Sequence, residues 1–271
     1  MTRHSIMVLA VCILVLPLCC LAQDRSGWQQ LTEDGNKLFQ DGKVEQAEKK
    51  FQQALYLAEK TYGPTDARVA HSLGSLGTSY AAQGRVIEAE ALMRFSIDIL
   101  ERGGRNPTEQ LSIVNNLASL YAARGRFHDA AIAHKKCLEI SEKAFGADDP
   151  RTASALMDLA AAYASQENFA EAEPLVSRAL QVYEKALGKE NPQVAAALNN
   201  LGNISAARGK YEEAENHFRQ ALAMYERLGG PDNPELADLV ENLGGVYQEL
   251  GKQAEAKQFA DRAAKMRSKK R

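Results

Sequence analysis

The stretch Phe169–Gly202, "FAEAEPLVSRALQVYEKALGKENPQVAAALNNLG", is restated 42 residues later at Tyr211–Gly244 as "YEEAENHFRQALAMYERLGGPDNPELADLVENLG". A fixed period of this length marks a stack of like units and overrides any local reading of the fold. The unit is anchored by a turn glycine, found in "DGKV", "QGRV", "RGRF", "RGKY" and "LGKQ" at Gly42, Gly84, Gly125, Gly209 and Gly251. One copy, "QENF", carries Glu167 instead. Successive turns lie 42, 41, 42, 42 and 42 residues apart, so six copies occupy residues 28–268 and leave no second domain.

Each copy reads as two helices. Apolar residues stand 11, 8, 7 and 4 places before the turn, as in Val114, Leu117, Ala118 and Tyr121 or Leu156, Leu159, Ala160 and Tyr163. That is the i, i+3, i+4, i+7 stripe of an amphipathic helix. After the turn an alanine falls five places on in every copy: Ala47, Ala89, Ala130, Ala172, Ala214 and Ala256. Apolar residues mostly follow one and two turns later, so the second helix is amphipathic too, and the invariant alanine predicts a close helix crossing. The linkers "GADDP", "GKENP" and "GPDNP" predict left-handed closure at Gly146, Gly188 and Gly229. They also predict N-caps at Asp149, Asn191 and Asn233, with Pro150, Pro192 and Pro234 opening the next helix. The end copies are eroded: Asp34 replaces a leucine, and Gln253 and Arg267 replace aromatic or aliphatic residues. These read as caps, because only inner repeats have neighbours on both sides.

The amino terminus has a different grammar. "MTRH" is a short basic start, "SIMVLAVCILVLPLCC" is apolar, and "CLAQ" offers small residues for cleavage. Residues 1–22 are expected to be a secretory signal peptide cut between Ala22 and Gln23, followed by a linker at 23–27. An uncleaved anchor is the alternative, though the apolar run is short against the ~20 residues a span needs. Cleavage removes Cys12, Cys19 and Cys20 and leaves Cys137 alone, so no internal disulfide can form. The mature chain is expected to be periplasmic or extracellular, with no membrane span. Charge is balanced at 33 basic and 35 acidic residues, which argues against a nucleic-acid binder. The basic end of the chain, residues 269–271, reads as a solvated tail.

Nothing in the pattern points to catalysis. His71, His128, His134 and His217 stand at different repeat phases with no i, i+4 metal spacing. The glycines serve as repeat punctuation and form no phosphate loop. Cys137 and His134 occupy core slots, the first read as a small hydrophobe and the second as a satisfied buried histidine. No cofactor and no metal are expected.

These residues resemble the tetratricopeptide repeat, and the 42-residue period resembles its kinesin-light-chain class. The resemblance covers residues 28–268 and implies an all-α, right-handed superhelical solenoid of six antiparallel helix pairs. It also implies a non-enzymatic interaction scaffold whose first helices line a concave groove for an extended peptide or partner protein. An alternative is a structural subunit that docks into an envelope or secretion assembly through the solenoid edge. Residues 13, 10, 6, 3 and 2 places before the turn share the stripe opposite the core. Small and amide side chains dominate it, including Asn36, Asn115, Asn199 and Asn203. Asn116, Asn200 and Asn242, on the same helices, resemble the asparagines with which this class grips peptides. The other reading of these asparagines is bonding within and between stacked helices. The stripe holds no Lys or Arg, and its only acids, Asp238, Glu241 and Glu249, lie in the last copy. The groove is therefore expected to be neutral in its middle and acidic at the carboxy-terminal end. The lysine–arginine clamp that chaperone-associated members close on a terminal carboxylate is not expected. The tyrosines Tyr80, Tyr121, Tyr163 and Tyr247 fall on the core side.

Overall fold

A computed structural model describes residues 27–103, 107–230 and 233–268; the expected signal peptide, its cleavage site, most of the linker and the tail lie outside them. The described residues form twelve α-helices. In chain order they are α1 (27–40), α2 (Val44–Tyr62), α3 (Ala67–Ala82), α4 (Val86–Gly103), α5 (Pro107–Ala123) and α6 (Phe127–Phe145). Then come α7 (Pro150–Ala164), α8 (Phe169–Leu187), α9 (Pro192–Ala207), α10 (Tyr211–Gly229), α11 (Ala237–Glu249) and α12 (Gln253–Ser268). A 3₁₀ turn at Pro234–Leu236 leads into α11. The chain divides into two compact units between Leu120 and Tyr121. Within each, helices pack on their neighbours in sequence, as in α2 on α3 and α3 on α4, or α9 on α10 and α10 on α11. This is the expected all-α series of six helix pairs.

The alanine crossing is where each pair closes. Ala47, Ala89, Ala130, Ala172 and Ala214 are at most 1% exposed, and only Ala256, in the carboxy-terminal copy, is partly open. Facing it in three copies, the first helix carries glycine where the second carries a large buried side chain. A Cβ on Gly35 would lie 2.5 Å from the Phe51 ring, one on Gly77 2.9 Å from Met93, and one on Gly202 2.6 Å from Phe218. Separations below 3.0 Å are ones that real Cβ atoms essentially never show, so these positions require glycine. In the first unit Ala47, Phe51 and Leu76 form a core cluster against Leu38, Leu55 and Tyr80. In the second, a continuous core runs from Ala153 and Leu156 through Phe218 and Leu222 to Val240, Leu243 and Met266. In the second unit the buried hydroxyls of Thr152 and Ser141 are satisfied: Thr152 Oγ1 donates to the Gly146 carbonyl (2.8 Å) and lies 3.1 Å from Ser141 Oγ.

A second device stitches three of the pairs to the next. Glu48 accepts from Arg85, Glu173 from Arg208 and Glu215 from Lys252, each acid on a second helix and each base beside the following turn. The base just after the turn also covers the core tyrosine four residues before it. Arg85 lies 3.6 Å from the Tyr80 ring centroid and Arg126 4.4 Å from that of Tyr121, a favourable cation–π geometry. Such exposed pairs contribute ~0–1 kcal/mol each, so they set register more than stability.

The punctuation follows expectation with one shift. Asp149, Asn191 and Asn233 accept from the amides of Arg151, Gln193 and Glu235 at 2.8, 2.9 and 3.0 Å, and Asp66 caps α3 in the same way. Gly146 and Gly188 take positive φ, but in the third linker the left-handed residue is Gly230 and not Gly229. α10 has the same 19-residue length as α6 and α8, so Gly229 still ends it in helical geometry, and Gly230, which opens "GPDNP", stands one 42-residue period after Gly188. Pro174 is accommodated inside a continuous α8.

Glu167 has φ 58°, the left-handed conformation that glycine adopts at the other turns (Gly84 77°, Gly209 73°). Among the described residues it is the only non-glycine with positive φ. An L-residue in that conformation costs about 1–2 kcal/mol, partly offset by the ~0.5–1 kcal/mol of extra chain entropy a glycine would lose. Glu167→Gly should therefore stabilise the fold by about 0.5–1 kcal/mol, read as a higher denaturant midpoint at unchanged slope; a lower midpoint would contradict this.

Candidate peptide-binding face

The crossing turns one side of each first helix inward and leaves the other outside. The structure places the stripe there: Asn36, Ser112, Ser119, Ser154, Ala161, Asn203, Asp238, Glu241 and Gly245 are exposed. Two members are covered. Thr32 is buried and donates to the Trp28 carbonyl, and Gly74 lies under the Ile113 side chain. Tyr121 and Tyr247 are buried, and Tyr80 and Tyr163 half-buried, in keeping with packing roles.

The asparagines separate into two kinds. Asn116 donates through Nδ2 to Thr78 Oγ1 (3.1 Å), and Asn242 donates to Asn203 Oδ1 (3.1 Å), in each case between successive first helices. These three side chains thus form interhelical bonds while Asn116, Asn203 and Asn242 remain exposed. Asn115, Asn199 and Asn200 are half-buried. Asn199 Oδ1 is enclosed without a hydrogen-bond partner, an uncompensated acceptor of the kind that costs about 1–3 kcal/mol.

In the first unit the face is hollowed. Between α3 and α5 lies a cavity of about 330 Å³ lined by His71, Gly74, Ser75, Thr78, Thr108, Glu109, Ser112, Ile113 and Asn116. His71 Nδ1 is 2.8 Å from Glu109 Oε1, and the Trp28 ring meets the His71 ring edge-on at 5.7 Å between centroids. Trp28 Nε1 donates to Ser72 Oγ. The stripe positions His71, Gly74, Thr78 and Ser112 are thereby brought together with Asn116. Glu109, Ser75 and Thr108 were not foreseen. Their signal was spacing, since the bonds linking successive first helices here join residues 38 or 39 apart, one period less about one helical turn.

Two expectations need correction. The carboxy-terminal end is not simply acidic, because Arg267 reaches back from α12 to pair with Asp238 (2.9 Å) and Glu241. Asp158, on α7 but outside the stripe, is half-buried with its pKa raised by desolvation, which the charge of His134 opposes. His134 is half-buried with its pKa lowered by desolvation, but its Nδ1 has no hydrogen-bond partner, so it is not a satisfied core histidine. Cys137 is fully buried and its thiol is pushed up to about 12, first by burial and then by Asp158, which keeps it protonated and inert at neutral pH. Among the described residues no group of three or more His, Cys, Asp or Glu side chains is placed to hold a metal, and no helix is long and apolar enough to cross a membrane.

Helix pairs stacked at a 42-residue period, closed by an alanine crossing and leaving a small-residue face on the first helix, define an all-α solenoid repeat protein. The Tetratricopeptide repeat family profile matches residues 35–102, 109–185, 154–227 and 193–269. The chain belongs to the tetratricopeptide repeat family, whose members are generally protein-interaction modules and usually non-catalytic. Its fold matches BtubC (BKLC) from P. vanneervenii, with 22% identity over 92% of this chain and 91% of that chain and a TM-score of 0.67. It also matches a putative kinesin light chain with nearly identical repeats from Podospora anserina, with 24% identity over 74% and 96% of the two chains and a TM-score of 0.66. A third match is a tetratricopeptide repeat protein from Parabacteroides merdae, with 22% identity over 87% and 78% and a TM-score of 0.60. No curated protein is significantly similar in sequence.

Arg267 holds the Glu241 carboxyl below its ordinary pKa, first by hydrogen bonding and then by charge. A depressed folded pKa stabilises above the unfolded value of about 4.3, and the contribution is lost as acidification passes the folded value. Arg267→Ala should return the Glu241 titration, followed by side-chain carboxyl ¹³C NMR, towards the ordinary glutamate range; an unmoved midpoint would contradict the pairing.

Proposed function

We propose that this protein is a non-enzymatic scaffold that holds an extended peptide segment of a protein partner along the first-helix face, and that it acts after export and loss of residues 1–22. The observation that carries the binding half is the hollow between α3 and α5, on a face of small, hydroxyl and amide side chains. Small residues let a partner backbone approach. The hydroxyls and amides offer both donors and acceptors to it, and a chain in extended form can be held by such contacts without strict sequence demands. Export rests on the basic, apolar, small-residue order of "MTRHSIMVLAVCILVLPLCCLAQ".

Asn199→Ala/Asn203→Ala should abolish capture of a peptide-like partner from the native host while the helical melting profile stays cooperative, and amidating the captured peptide's carboxyl terminus should leave binding unchanged. Undiminished co-purification of a large complex would instead favour docking through the solenoid edge. A mature amino terminus at Gln23, read by mass spectrometry, is the outcome expected of export; a full-length terminus in the membrane fraction would overturn it.

A further inference from the structure

The second helix α4 carries an outer stripe unlike that of the other second helices. Ile87, Ala91 and Phe95 stand at i, i+4 and i+8 and therefore share one side of the helix. That side faces away from the core: Ile87 is 83% and Phe95 50% exposed, and Ala91 is exposed between them. The opposite side of α4 is filled by the buried residues Ala89, Met93, Ser96 and Leu100. At the place of Phe95 the other five copies put a polar residue, Gln53, Lys136, Arg178, Gln220 or Arg262. At the place of Ile87 none of them puts a large apolar one. Single exposed apolar residues are ordinary. Two large ones aligned about an alanine have the form of a helix contact surface.

The stripe is its own complement. A second α4 laid antiparallel, with a two-fold axis at Ala91, sets alanine against alanine and Ile87 against the second copy's Phe95. The small central residue lets the helix axes close to the about 8–10 Å of packed helices, while the large ones interlock on either side of it. An antiparallel two-fold also brings the same flank of each helix together, so each flank must be neutral in itself. Both are. On one flank Arg94 pairs with Glu90 at 3.0 Å, and on the other Glu88 pairs with Arg85 at 3.1 Å. In the paired arrangement each Arg94 stands between its own Glu90 and that of the second copy.

We propose that this protein associates with a second copy of itself through α4, by an antiparallel contact centred on Ala91. Neither flank carries the net charge that would select an acidic or a basic partner, whereas size and charge both match a second α4. The contact is small: one three-residue apolar stripe from each copy falls below the about 1,200 Å² of a standard interface, so the dimer is weak and concentration-dependent. The inference does not rest on the groove reading. α4 packs on α3 through its core side, and the binding face belongs to the first helices, so the dimer leaves that face open.

The test is sedimentation equilibrium of the full chain without detergent, from about 1 to about 300 μM, a range set by the micromolar affinity of an interface this small. The dimer fraction should rise across it. Phe95→Gln and Ala91→Lys place here residues that α2 carries in the same register, Gln53 and Lys49, and circular dichroism checks that both remain folded. Each should weaken association by about tenfold or more, the first by removing an aromatic anchor and the second by setting two ammonium groups together at the axis. With p-benzoylphenylalanine in place of Phe95, the photo-cross-linked dimer should carry its new bond in the stretch that holds Ile87, read by mass spectrometry. A monomer at every concentration would overturn the proposal, as would association that both variants leave unchanged. A cross-link to the apolar amino-terminal segment, or to any other stretch, would overturn it too.

Discussion

The close crossing of the two helices in each pair governs the rest of this molecule. Its space is shared between an alanine on the second helix and a small residue on the first, with an aromatic or long side chain lying across the gap. Where the first helix gives up its Cβ, at Gly35, Gly77 and Gly202, the second helix fills the space with Phe51, Met93 and Phe218. At Ala160 the corresponding residue is the smaller Val176. In these four copies a larger residue on the first helix goes with a smaller one on the second, the trade a close-packed interior imposes. In the end copy, by contrast, Gly244 meets only Phe259 Cβ and the backbone of Ala256 and Ala260. Once the crossing is fixed, the rotation of the first helix is fixed too, and with it the side chains left outside.

The binding face is thus a consequence of packing, not a separate construction. Its residues are freed from the core by helical phase, and within each unit stacking at a constant period lines them up from pair to pair. The same stacking brings Asn116 to Thr78 and Asn242 to Asn203, so part of the amide stripe is used to hold neighbouring first helices in register. The two readings of the asparagines are therefore compatible at these exposed positions: an Asn–Asn or Asn–Thr bond uses one donor and one acceptor and leaves others for a ligand.

The fold was legible because it is written six times. Helical phase, the crossing alanine, the caps at Asp149, Asn191 and Asn233 and the inward tyrosines all follow from positions that repeat, and repetition averages away single-residue noise. Errors fell where a position departs from the repeat or depends on a neighbour in space. Gly229 and Gly230 offer two adjacent candidates for one left-handed site, and the 42-residue period from Gly188 selects Gly230. Arg267, Glu109 and Asp158 carry charges whose partners, or lack of them, are set by another helix, which no periodicity within one helix reveals. His134 was read from its slot alone, but the slot says nothing about whether a ring nitrogen finds a donor or acceptor.

The crossing itself is open to a single comparison. Ala214 is fully buried in the second unit's core, whereas Ala256 occupies the same slot in the partly open carboxy-terminal copy. If the crossing is what the stack depends on, Ala214→Phe should lower global stability by about 1–3 kcal/mol or more in equilibrium denaturation, and Ala256→Phe should cost distinctly less. Equal effects at the two positions, or an unchanged midpoint for Ala214→Phe, would contradict the account.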